Sequence, residues 1–191
     1  MGGPFHDPAL EFTTAPRLET ERLALRHVQP RDLSYFVAAH ADEEVSRYVG
    51  GPIGPEDAWR RAMTGAGFWG VLGIGLWAVE RREDSRTIGH VGFFDFQREI
   101  EPSLSGQPEM GWIFSREAQG QGYASEACQA VLAWFDPKFQ PVSIPAIISL
   151  ENKSSMRLAE RLGFVRQDDA DYRGEPIALF RRPPLGGSPL A

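Results

Sequence analysis

The stretch SREAQGQGYASEACQAVLAWFD, residues 115–136, opens polar and glycine-rich and passes without a break into an apolar repeat. Ala124, Ala127, Cys128, Val131, Leu132 and Phe135 fall at i, i+3, i+4, i+7, i+8 and i+11, which is one stripe of a helix. Asp136-Pro137 ends it, because a residue before proline is pushed out of the helical region. Gly120 and Gly122 stand at its mouth, although glycine costs roughly 1 kcal/mol against alanine inside a helix. The first amides of a helix have no partner within it, and they carry the positive end of its dipole. Without side chains in the way an anion can approach them, so QGQGYA, residues 119–124, predicts a phosphate cradle. A plain tight connection between strand and helix is the competing reading of the same spacing.

Working outward, RLALRHV (22–28), LWAVERRED (76–84, running into a charged turn), RTIGHVGFFDF (86–96), PEMGWIFS (108–115), SIPAIIS (143–149) and IALFRRP (177–183) read as strands. PRDLSYFVAAHA (30–41) reads as a helix with Leu33, Phe36 and Val37 on one face, and GPEDAWRRAMT (54–64) as a second with Pro55 in its first turn. NKSSMRLAERLGF (152–164) is a short helix closed by Gly163. Strands and helices alternate without a strict βα rhythm, so the expected class is α/β in the mixed, α+β sense. Residues 1–16 read as an irregular arm, 17–183 as one domain and 184–191 as a loose tail.

Bulk properties narrow the function. A net charge of −6 disfavours nonspecific nucleic-acid binding. The longest apolar run, GVLGIGLWAV (70–79), is too short to span a bilayer, and no basic-then-apolar leader opens the chain. One cysteine, Cys128, allows no internal disulfide, which suits a reducing, cytoplasmic setting. Its place on the apolar stripe reads as buried packing. The four histidines, His6, His27, His40 and His90, are scattered and make no metal pattern. GAGFWG (65–70) has the letters of a dinucleotide fingerprint but follows a helical segment, so it fails the contextual test.

The run Gln119-Gly120-Gln121-Gly122-Tyr123-Ala124 fits (Q/R)xxGx(G/A), and with LETERLALR, IGHVGF, EMGWIF, GQGYASEA and ENKSSMRLAERLGF it resembles the GNAT superfamily of N-acetyltransferases. The likeness spans roughly residues 17–183 and is strongest toward the branch containing ribosomal-protein-alanine N-acetyltransferases. It implies a central mixed, mostly antiparallel twisted sheet flanked by helices, with two splayed central strands. It implies acetyl-CoA as cosubstrate and no metal, with the pyrophosphate on the amides of Gln121, Gly122, Tyr123 and Ala124. The pantetheine arm would hydrogen-bond along Trp112, Ile113 and Phe114 like an added strand. Arg116, Lys153 and Arg161 could meet outer phosphates. In this branch Glu109 would help deprotonate the acceptor amine, often through water, while Asn152 and Ser155 match the family's asparagine and serine. Asn152 could order the pantetheine or cap a helix; Ser155 could protonate the departing sulfur. Many members carry a tyrosine general acid where this chain has Ala159, which leaves Ser155 or solvent for that step.

The acceptor implied is a primary amine, either a peptide N-terminus or a small amine. At pH 7 an α-amine loses its proton for about 1 kcal/mol and a lysine amine for about 4.6 kcal/mol, so an α-amine asks less of the enzyme. No nucleic-acid or membrane partner is expected, and a homodimer is an assembly the sequence allows. A noncatalytic acyl-CoA sensor on the same scaffold is the competing class.

Overall fold

The computed structural model describes residues 14–139 and 142–184. The chain runs β1 (Leu18–Glu19), β2 (Leu23–Arg26), α1 (Leu33–Ala41), α2 (Glu43–Ser46), α3 (Pro55–Leu72), β3 (Leu76–Arg81), β4 (Arg86–Phe94), β5 (Glu109–Phe114), α4 (Tyr123–Phe135), β6 (Ile144–Ser149), α5 (Lys153–Arg161), β7 (Val165–Tyr172) and β8 (Glu175–Arg182). Strands β1 to β5 pair in sequence order as one antiparallel sheet, and β6, β8 and β7 form a second in that spatial order. β5 and β6 run close to one another yet belong to different sheets. The seam between them is the expected splay.

The sheet is buried on both faces. Trp77, Val79, Val91 and Phe93 point into the main core with the α4 residues Ala127, Cys128, Val131, Leu132 and Phe135. Leu76, Ala78 and Phe94 point the other way, toward Phe36 and Ala39 of α1 and Ala62 of α3. Two-faced burial explains why these strands read as continuous apolar runs rather than alternating ones. Burial also pushes the Cys128 thiol far up, so it is an unreactive packing group.

A closed ion-pair knot ties β2, α1, β3 and the start of β4 together. Buried Arg26 donates to both oxygens of Asp32 at 2.8 and 2.9 Å and to Glu80 at 2.8 Å. Asp32 also accepts from Thr87 Oγ1 and from the amide of Gln29. Burial alone would raise the Asp32 pKa; the hydrogen bonds from Arg26, Thr87 and Gln29 outweigh it and hold the carboxyl below its ordinary value.

Three expectations need correction. α1 buries Tyr35, Phe36, Ala39 and His40, whereas Leu33 is exposed and Val37 half-buried. The stripe is one residue off because Tyr35 donates a hydrogen bond to Ile113 O and sits 3.1 Å from His90 Nδ1. The second helix runs on to Leu72 instead of stopping near Thr64, and ends at Gly73, whose φ of 67° suits glycine. GAGFWG therefore lies inside a helix, where Gly65 permits close contact with Leu76: a Cβ there would come within 2.7 Å of it. Finally, β7 is an extra strand that the sequence reading lacks. Of the histidines, His40 and His90 are buried with stacked rings, and His6 lies outside the described residues. Most of the N-terminal arm and all of the tail but Pro184 also lie outside them; of the arm, Ala15 is buried and Pro16 O accepts from Trp77 Nε1.

Candidate functional site

The turn before α4 holds Gly120 at φ 74° and Gly122 at φ 82°, with Gly122 as the residue that starts the helix. A side chain at either φ would be strained. These left-handed residues swing the chain so that consecutive amides face outward. Among the described residues, the amides of 120–125 donate to no protein acceptor, and the first helical bond is Glu126 N–H to Gly122 O. Free amides and a helix dipole together make an anion site.

A clamp from another element fixes this turn. Arg22 donates through Nε to Glu126 Oε2 at 2.7 Å and through Nη1 to Gln121 O at 2.9 Å, and lies 4.5 Å over the Tyr123 ring. Thr20 Oγ1 and the Arg22 amide both donate to Glu126 Oε1. The expectation drawn from the motif omitted Arg22 and Glu126. The only signal was an opposite-charge pair within TER and SEA, more than a hundred residues apart.

The seam starts from this turn. Ser115 N donates to Ile88 O at 2.9 Å, so by antiparallel alternation the backbone groups of Ile113 and Gly111 face β4 and those of Phe114, Trp112 and Met110 face the seam. Phe114 O takes a bond from Gln119 Nε2 there. Ile113 is thereby corrected as a source of contacts in the seam: its backbone is spent within the sheet. Trp112 keeps an open edge, and Phe114 keeps its amide, its carbonyl being taken by Gln119.

Across the seam, Asn152 caps α5 by accepting from Ser155 N at 3.1 Å and from Ser154 Oγ at 2.9 Å. The half-buried Ser155 hydroxyl accepts from Trp112 Nε1 at 3.3 Å, linking α5 to β5. Ala159 is fully buried, and its methyl group has no proton to give, so this position carries no acid. Lys153 stands exposed in the first turn of α5; Arg161 is exposed in the last, about 12 Å along the axis at 1.5 Å per residue, away from the helix start. Arg116 is exposed and paired with Glu44 at 2.9 Å.

Glu109 sits at the start of β5, buried to 5% exposure. Both its oxygens are held by Arg98, from Nε at 2.7 Å and Nη2 at 2.8 Å. The guanidinium lies 4.6 Å over Phe96 and 4.8 Å over Tyr172. Burial alone would lower the Arg98 pKa, but the Glu109 contacts outweigh it and raise it. A cavity of about 460 Å³ lies beside it, lined by Arg98, Glu99, Ile100, Glu101, Ser103 and Asp171. Glu109 is thus a sequestered carboxylate rather than a solvent-facing strand end. The described residues contain no group of three or more His, Cys, Asp or Glu able to hold a metal, and no helix long and apolar enough to cross a membrane.

Residues 22–165 match the family model described as an acetyltransferase (GNAT) domain. The fold is similar to that of a GnaT-family acetyltransferase from Bordetella pertussis, 30% identical, with a TM-score of 0.73 over 88% of this chain and 99% of that one. In sequence the chain is 28% identical over 154 residues to the N-acetyltransferase YoaA of Bacillus subtilis, covering 80% of this chain and 84% of that protein. A ribosomal L7/L12 alpha-N-protein acetyltransferase solved in complex with coenzyme A shares the fold at 14% identity, with a TM-score of 0.69 over 88% of this chain and 98% of that one.

Proposed function

The chain belongs to the GNAT acetyltransferases, and from that premise we propose that it moves the acetyl group of acetyl-CoA directly to a primary amine, with peptide α-amines as the favoured acceptors. The single observation that carries this reading is the run of unpaired amides at 120–125 opening onto a seam whose β5 edge is unladdered. A diphosphate fits the first, and an amide-bearing arm fits the second. Gln119 to Ala124 would hold the pyrophosphate, with Trp112 and Phe114 offering their backbone groups to the arm. Glu109, Asn152 and Ser155 would form the chemical set.

In the reaction the amine nitrogen bonds to the acetyl carbon and the carbon–sulfur bond breaks. The amine proton leaves to solvent, and the thiolate takes a proton, giving an amide and free coenzyme A. Backbone donors at the seam polarise the thioester carbonyl. Ser155 Oγ accepts from Trp112 Nε1, which leaves its own proton free to point at the sulfur. The α-amine preference rests on proton cost and on the alpha-N-protein acceptor named for one structural neighbour. A reducing cytoplasm suits the buried thiol of Cys128.

Thiol release from acetyl-CoA, measured with peptides bearing free N-terminal alanine, serine or methionine, an N-acetylated lysine peptide, spermidine and kanamycin, tests the reading. Turnover is expected with the free α-amines, and Ser155→Ala should lower kcat about 100-fold, the size of a lost general acid, with acetyl-CoA binding intact. Binding without turnover across the whole panel would instead identify an acyl-CoA sensor.

A further inference from the structure

We propose that Arg98 is a positioning residue for acetyl transfer, acting through Glu109. This inference rests on the reading of Glu109 as the group that handles the acceptor amine. Three elements converge on the guanidinium. Its own loop supplies it, β5 supplies the carboxylate, and β7 supplies the Tyr172 ring. Since β5 and β7 belong to different sheets, Arg98 bridges the two at the end of the seam remote from the glycine turn.

The loop from 95 to 108 is built to deliver Arg98 in one pose. Asp95, nearly buried, accepts from the amides of Gln97 and Gly106 and from the Gln97 side chain. Gln97 is held at φ 49°, a left-handed value that a side-chain-bearing residue adopts only under constraint. Ile100 and Leu104 anchor the loop on Ile177 and Leu179 of β8. Phe96 and Tyr172 then confine the guanidinium plane, and its fork fixes both oxygens of Glu109.

The consequence is chemical. Arg98 occupies one side of each carboxylate oxygen, and the described residues place no other donor on them. Each oxygen thus keeps acceptor capacity that no described residue uses, and an ammonium or its water is the group this reading assigns to it. Glu109 therefore orients the amine, and the proton leaves through water rather than by residence on the carboxylate. An isolated glutamate at a strand end would swing between rotamers; this one has a single aim.

Steady-state kinetics with the best α-amine peptide of the panel test this. Arg98→Met should lower kcat about 100-fold, the cost of a misplaced reacting group, with the KM for acetyl-CoA unchanged. Glu109→Gln should cost about as much, and the double variant should be no slower than the slower single. Arg98→Lys, which keeps the charge and loses the fork, should recover part of the loss, and it carries the test if Arg98→Met does not fold. Unchanged or raised kcat in Arg98→Met, or multiplicative losses in the double variant, overturns the inference. A Glu109→Gln enzyme of normal kcat removes the role of Glu109 itself, and a wild-type protein without turnover removes the reaction, so each failure has its own signature.

Discussion

Two buried arginine–carboxylate pairs sit at opposite ends of β4. Arg26 and Asp32 meet at its start, beside Thr87; Arg98 and Glu109 meet at its far end, where Glu109 pairs with Phe94. Both are bidentate, with every contact between 2.7 and 2.9 Å. Their surroundings differ. Asp32 is saturated by Arg26, Thr87 and the Gln29 amide, and Arg26 by Asp32 and Glu80, so nothing is left to offer. Glu109 has one donor residue, and a cavity of about 460 Å³ lies against that donor. The same pair of side chains is a knot when its valences are filled by the protein and a site when some are kept back.

The largest effect should come from cutting the knot. Arg26→Met strands Asp32 in a dry interior and is expected to cost about 3–5 kcal/mol, the usual range for breaking a buried pair. Arg98→Met should cost only about 1–2 kcal/mol, because water can enter through the adjoining cavity and solvate Glu109. Urea unfolding of both variants measures the gap. Equal losses would abolish the distinction between knot and site.

A third pair lies between these extremes and sharpens the comparison. Arg22 and Glu126 are part-exposed, at 42% and 18% of their side chains, yet Arg22 also holds the Gln121 carbonyl. As a partly solvated pair it should contribute at most about 1 kcal/mol to stability. Its effect on the glycine turn should be larger in proportion. Arg22→Met is expected to weaken coenzyme A binding severalfold in calorimetry while barely moving the urea midpoint. Unaltered affinity would show that the left-handed glycines hold the turn without the clamp.

These three pairs also mark what the sequence could and could not tell. The α4 stripe was legible because burial follows a 3.6-residue period within one segment, and the glycine turn because positive φ leaves a local trace. Asn152 was legible as a cap for the same reason. β7 was not: VRQDDADY is an edge strand with both faces largely in solvent, so no alternation was imposed on it. The α3 extension was hidden by three glycines that propensity counts against a helix, although packing against Leu76 favours one of them. The partners Arg98 for Glu109 and Arg22 for Glu126 could not be read as pairs, since each is joined by tertiary packing across a loop or across most of the chain, and opposite charge alone does not select them. Glu109 could be found from its motif; what restrains it could not.

The finest distinction is one of pH. The Asp32 carboxyl has a depressed pKa in the folded protein, so its contribution is complete above the ordinary carboxylate value of about 3.9 and is lost as pH falls through the folded value. Other groups move in the same acid range: burial, with a smaller effect of neighbouring His40, lowers His90 to about 3, so that its neutral form also favours folding at higher pH. Both histidines are present in wild type and in Arg26→Met, so they cancel in the difference between the two. That difference should be constant near neutrality and shrink as the solution is acidified, because the bidentate contact of Arg26 with Asp32 holds only while Asp32 is charged. The same subtraction for Arg98→Met should be smaller near neutrality, since the cavity beside residue 98 would let water reach Glu109 once the arginine is gone. A gap for Arg26→Met that persisted undiminished at pH 2 would mean that the arginine stabilises the fold through packing of its stem rather than through its charge, and the knot would have to be redrawn as a hydrophobic one.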